Sequence, residues 1–164
     1  MITRFWKRAA GECIADALWL EGYLIKRGGR VKPLAIPAPA IEWAEDPIDP
    51  IQPVHEALKI EKALFEDCQR LCVLASKDRD VTTEAAISHR FLCKEMKHVK
   101  DLGDLLQQTV RVSKATGHSL YHLDKELREN NGLLPWGSLN HPDNEDCIIK
   151  ETAEDLVEHK VPPF

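Results

Sequence analysis

The stretch GGRVKPLAIPAPAIEWAEDPIDPIQP, residues 28–53, decides how this chain can fold. It opens on Gly28-Gly29, and glycine takes the left-handed position that ends a helix without a Cβ penalty. Six prolines follow: Pro33, Pro37, Pro39, Pro47, Pro50 and Pro53. Each removes a backbone donor, so the density forbids a helix interior and disfavours a central strand. Residues 31–53 therefore read as a loop of about 23 residues, and a loop of that length in a compact domain usually has a reason. Its Leu34, Ile36, Ile41, Trp43, Ile48 and Ile51 predict that parts of it pack against a surface.

The segments on either side are helical by pattern. Upstream, residues 3–26 carry Phe5, Ala9, Cys13, Asp16 or Ala17, Leu20 and Leu24 at spacings of three and four. Downstream, residues 54–77 repeat the pattern through Val54, Ala57, Leu58, Glu61, Leu64, Cys68, Leu71 and Ala75. A turn at 78–82 leads to a third helix over 83–113, with Ile87, Phe91, Glu95, Val99, Leu102, Leu106 and Val110 on one side. Gly117 marks a break before a short fourth helix at 119–129. Residues 132–144 read as loop. Residues 145–158 predict a small amphipathic helix on Ile148, Ile149, Thr152, Ala153 and Leu156.

Loop lengths then set the topology. A helix of about 24 residues is about 36 Å long, and an extended crossover covers that at about 3.3 Å per residue. The first and second helices can thus run parallel, while the short turn makes the second and third antiparallel neighbours. The fold class expected is all-α, a helical bundle with one long crossover. Only three long helices are encoded here, so one wall of a four-helix bundle is expected to be missing.

Composition narrows the class of function. Hydrophobic residues at 43% and charged residues at 30% suit a globular protein with a real core. A net charge of -5 argues against nucleic acid as the main partner, because phosphate binding needs a basic stripe. No apolar run reaches the roughly 18 residues of a transmembrane helix. The N-terminus shows no secretory pattern, so a cytoplasmic protein is expected. The cysteines (Cys13, Cys68, Cys72, Cys93 and Cys147) are odd in number and form no CxxC pair, which favours reduced thiols over a disulfide framework.

Four segments in order carry a resemblance to the ferritin family. Arg27-Gly28-Gly29-Arg30 resembles the close of the family's second helix. Ala57-Leu58-Lys59-Ile60-Glu61-Lys62 is similar to its third-helix segment. Leu74-Ala75-Ser76-Lys77-Asp78-Arg79-Asp80 resembles the turn between third and fourth helices, and Tyr121-His122-Leu123-Asp124-Lys125 the short last helix. The resemblance implies a ferritin-like helical domain over residues 1–129, lacking the family's first helix, and an acidic extension over 130–164.

It also implies iron chemistry. An iron-oxidising site inside such a bundle takes carboxylates and an imidazole from facing helices, typically with a Glu-x-x-His pair. In this sequence that pair falls on Cys13 and Asp16, the third-helix Glu is Glu61, and the fourth-helix ligand position is Glu95. Asp16, Glu61 and Glu95 each lie inside an apolar stripe, where an unpaired charge is costly. Glu12 remains from the glutamates that face the family's mineral cavity. The iron-entry positions are Ala85 and Ser88, with Glu84 reading as a first-turn helix charge. The candidate metal residues are therefore Glu12, Asp16, Glu61 and Glu95, and no residue is assigned as catalytic. The competing reading pairs Glu61 with a nearby Lys or Arg, or leaves the carboxylates partly solvated.

The seven histidines are expected to face solvent, with His118 and His122 the one pair at ligand spacing. The function implied is an iron-storage subunit carrying Fe2+/Fe3+, with weak or no ferroxidase activity of its own. Its partners would be ferritin subunits of the same or another type in a cage-like oligomer, with no nucleic acid and no membrane. Two other readings stand beside it: a ferroxidase with a non-standard carboxylate set, and a non-catalytic helical interaction protein.

Overall fold

The computed structural model describes residues 3–38, 41, 50–114 and 118–134. Its elements are α1 (Thr3–Lys26), α2 (Ile51–Lys77), α3 (Val81–Ile87), a π-helical turn (Ser88–Leu92), α4 (Cys93–Ser113) and α5 (His118–Glu129). The described residues form an all-α bundle. Trp43, the break at Gly117 and the helix expected at 145–158 lie outside them.

Local chemistry accounts for the boundaries. α1 ends as its glycines require: Gly28 takes φ 82°, and the Gly28 and Gly29 amides donate to the carbonyls of Ile25 and Leu24, both at 2.9 Å. α2 starts at Ile51, earlier than expected, with Pro53 in its first turn. An amide there has no helical acceptor, so the proline costs nothing. α3 starts at Val81 because Asp80 caps it. The Thr83 amide donates to one Asp80 oxygen at 3.1 Å and the Thr83 hydroxyl to the other at 2.7 Å.

The pattern predicted one unbroken α-helix from 83 to 113, and the structure corrects that. Ile87, Phe91 and Glu95 are all buried, yet they follow at two successive steps of four, more than the 3.6 residues of an α-turn. A wider π turn, Ser88–Leu92, lies between the first and last of them.

Packing fixes direction. Phe5 and Trp6, early in α1, pack on the cluster that holds Val54, early in α2. At the other end, Arg27 donates to Asp80 at 2.6 Å and Tyr23 bonds Thr83 at 3.0 Å. α1 and α2 therefore run parallel, as the long crossover allows. α4 returns antiparallel, bringing Leu102 and Leu105 onto Val54. α5 closes this end with Leu123 and Leu127, and the packed body continues to Leu134. Arg4 clamps α5 by donating to the Arg128 carbonyl at 3.1 Å and to the Asn131 side chain at 3.0 Å.

The interior is divided. One apolar cluster gathers Val54, Leu102, Leu105, Leu123, Leu127 and Leu134, and a second gathers Cys68, Ile87 and Phe91 with Trp19 alongside. Between them along every long helix lies a polar layer: Glu12 and Asp16 on α1, Glu61 on α2, and Lys94, Glu95 and His98 on α4.

Of the loop's apolar residues, Leu34 and Ile36 are 78% and 95% exposed, where Pro33 and Pro37 disfavour helix, while Ile41 and Ile51 are half-buried. On α1 only Ala15 is buried, while Ile14, Leu18, Leu20 and Leu24 are exposed. Leu20, with Leu64 and Leu71 of α2, borders the cavity between the helices, while Ile14 and Leu18 lie on another face of α1. No described helix is long and apolar enough to cross a membrane.

Candidate metal centre

The polar layer borders a cavity of about 320 Å³ between α1, α2 and α4. Glu95 is its hub. The residue is only 2% exposed. Its two oxygens face different neighbours. Oε1 lies 3.7 Å from the Lys94 ammonium, and Oε2 lies 3.7 Å from Nδ1 of His98.

On the His98 side, Glu61 of α2 brings its Oε2 to 4.0 Å from the same ring nitrogen. One ligand atom each from Glu61, Glu95 and His98 falls within 4.8 Å of the others, a spread that one cation can gather. Oε2 of Glu61 and Oε2 of Glu95 are buried without a hydrogen-bond partner. The other ring nitrogen of His98 faces Glu12 Oε2 at 3.5 Å, and Arg8 holds Glu12 from behind at 3.0 Å.

On the Lys94 side the carboxylate is already paired. Lys94, 3% exposed, donates its ammonium to Asp16. Arg90 adds its guanidinium to the second Asp16 oxygen at 3.7 Å and stacks over Trp19, 4.7 Å from the ring centre. Asp16 is thus held by two cations, whereas Glu61 and Glu95 keep open oxygens.

The electrostatics follow from this crowding. Burial first, then the neighbouring Glu95 carboxylate, push Glu61 up to about 7. Burial pushes Glu95 the same way, but the polar groups of His98 and Glu61 beside it and the charges of His98 and Lys94 outweigh it and hold Glu95 below the ordinary range. For His98, burial disfavours the imidazolium, and Glu95 and Glu12 overcome it, so the ring holds its proton more firmly than usual. Cys13, exposed overall, borders the cavity. Partial burial, then the charge of Glu61, push its thiol up, so it stays protonated and is a poor ligand.

The structure therefore brings Glu61 and Glu95 together as expected, places Asp16 in an ion pair beside them, and sets Glu12 behind the imidazole. His98 corrects the expectation of solvent-facing histidines. It lies three residues after Glu95 on the same helix, so the two share a face. Glu95-Met96-Lys97-His98 is itself a Glu-x-x-His spacing, moved from α1 to α4, and that signal was readable in the sequence. His118 and His122 are exposed on α5, with Nε2 atoms 3.0 Å apart. Glu84 sits in the first turn of α3.

Carboxylates and an imidazole converging from facing helices of an all-α bundle with one long crossover define the ferritin-like class. Comparison with known proteins is specific: the ferritin-like domain matches residues 2–112, and the chain belongs to the ferritin family. Ferritin-3, chloroplastic, of Glycine max is 32% identical over 133 residues, covering 80% of this chain and 51% of that protein. Ferritin-2 heavy chain of Schistosoma mansoni is 31% identical over 119 residues, covering 73% and 67%. The crystal structure of ferritin from the green alga Ulva pertusa superposes with a TM-score of 0.69 at 32% identity, covering 76% of this chain and 64% of that one. The chain spans about half the length of the plant relatives it matches.

Proposed function

We propose that this chain is an iron-binding, iron-storage ferritin subunit with weak or no ferroxidase activity of its own, relying on other subunits for oxidation. The observation that carries the reading is the pair of buried, unpartnered oxygens of Glu61 and Glu95 turned toward His98. A buried carboxylate without a donor is costly, and a cation removes the cost. Two hard oxygens and one imidazole nitrogen suit ferrous iron. Glu61, Glu95 and His98 would contact the ion, while Glu12 orients the ring through its far nitrogen. Asp16 acts through its charge, since Lys94 and Arg90 engage it.

The exposed apolar residues of α1 and α2 support the partner side of the proposal, a cage-like oligomer with subunits of the same or another type. The division into a helical domain (1–129) and an acidic extension (130–164) belongs to this proposal. So does a cytoplasmic setting; its competitor is the plastid, named for the plant relatives, and cell fractionation separates the two. A second reading, a ferroxidase with a non-standard ligand set, draws on the Glu-x-x-His spacing of α4.

Light scattering of the purified chain with and without Fe2+ tests the storage reading. An iron-retaining species far larger than the 18.6 kDa protomer is expected. A monomer that retains no iron overturns it. Ferrous oxidation followed by absorbance, with Glu61→Ala as control, tests the enzyme reading: turnover that this change leaves intact excludes the site as its source.

A further inference from the structure

Glu95 stands between two positions of opposite standing. Its Oε2 faces the open position bounded by Glu61 and His98, and its Oε1 faces the Lys94 ammonium. Lys94 is 3% exposed, has Asp16 on its other side, and lies 5.8 Å above the Phe91 ring. A lysine buried to this degree is uncommon unless paired, and here its charge sits between two carboxylates, Asp16 and Glu95. That is the position a divalent ion bridging them would take.

We infer that the Lys94 ammonium fills a second cation position, so that the centre takes one divalent ion per chain, against Glu61, Glu95 and His98, and not two. The inference rests on the metal-binding reading above and adds to it the number of ions. Electrostatics favour a single ion. A divalent cation arriving at Asp16 would have to displace an ammonium that two carboxylates face and would lie beside Arg90 as well. On the His98 side the incoming charge meets two buried carboxylate oxygens without a hydrogen-bond partner, and a ring nitrogen between them.

The chemistry of oxidation explains what this number does. Reducing dioxygen to hydrogen peroxide consumes two electrons and two protons. Each ferrous ion that becomes ferric supplies one electron. A centre holding one ion must pass the second electron from elsewhere, so Lys94 makes the chain a binder of iron and a slow oxidant of it.

The test counts and locates ions without relying on turnover. Anaerobic titration with Co2+, read by its visible absorption, is run on the full chain, on Lys94→Gln and on Lys94→Arg. Crystals of each soaked in Co2+ give the positions by anomalous scattering. One ion beside His98 is expected in the wild type and in Lys94→Arg. Lys94→Gln is expected to gain a second, between Asp16 and Glu95. Two ions in the wild-type centre overturn the inference and leave the metal-binding reading standing. One ion in a folded Lys94→Gln overturns it too. No ion beside His98 in the wild type overturns both. If Lys94→Gln does not fold, the wild-type count and position still decide.

Discussion

Glu95 and His98 lie one helical turn apart on α4, with Oε2 of the carboxylate 3.7 Å from Nδ1 of the ring. An ion entering between them must displace whatever proton they hold. Glu61 holds one up to about 7, and His98 holds its own more firmly than a free imidazole. Ion affinity should therefore rise with pH through neutrality, by about tenfold per unit for each proton released. Co2+ isotherms at pH 6, 7 and 8 check this, and a flat profile would mean that neither group is a ligand.

Without metal, stability should move the other way. Glu61 is raised in the folded state, so the unfolded chain loses that proton first, and stability falls as pH climbs from about 4.5 through 7. The raised His98 adds to the same trend, its contribution being full below the unfolded value of 6.5 and lost as pH passes the folded one. Glu61→Gln should raise the thermal midpoint at pH 8 by a few degrees, with the gain vanishing toward pH 4. An equal gain at both pH values would point to packing instead.

Glu12 and His98 should separate by magnitude. Removing an outer partner of a ligating imidazole costs about 10–100-fold in affinity. Glu12→Gln should fall in that range and His98→Ala should cost more. Equal losses would make Glu12 a direct ligand, which Co2+ titration of the two variants would reveal.

Asp16→Asn tests whether this carboxylate serves the protein or the ion. It leaves Lys94 buried with one carboxylate fewer, and breaking a buried pair costs about 3 kcal/mol. A large loss in urea denaturation with little change in the first ion's affinity is expected. The reverse pattern would make Asp16 a ligand.

Two glycines with the same backbone angle should respond differently to alanine. Gly28 and Gly132 both take φ 82°. An added Cβ meets nothing within 4 Å at Gly28, but lies 2.8 Å from the Arg4 carbonyl carbon at Gly132. Gly28→Ala should cost about 1–2 kcal/mol, the left-handed penalty alone. Gly132→Ala should cost more, because α1 must move as well. Thermal unfolding of the two variants compares them directly.

Much of this architecture was legible from local signals. Gly28 and the prolines are punctuation whose effect depends on their own backbone, so the end of α1 and the crossover could be read directly. Glu61 and Glu95 showed as charges inside apolar stripes. The π turn was not legible, because periodicity averages over several turns and hides one wide turn. His98 was missed for a different reason. The family's imidazole position falls on Asp16, while the same spacing stands intact at Glu95 and His98. Lys94 gave no signal, since a lysine beside an apolar stripe ordinarily extends to water; only the tertiary position of Asp16 holds it inside.

The close approach of Gly132 to Arg4 has a practical consequence. It brings the front of α1 and the segment after α5 to one pole of the bundle, while the Arg27–Asp80 pair marks the other. Arg4 and Gly132, far apart in the sequence, are thereby neighbours in space. The same geometry makes the Arg4–Asn131 hydrogen bond a reporter: exchange of the Arg4 guanidinium protons with solvent would quicken as soon as α5 detached from α1.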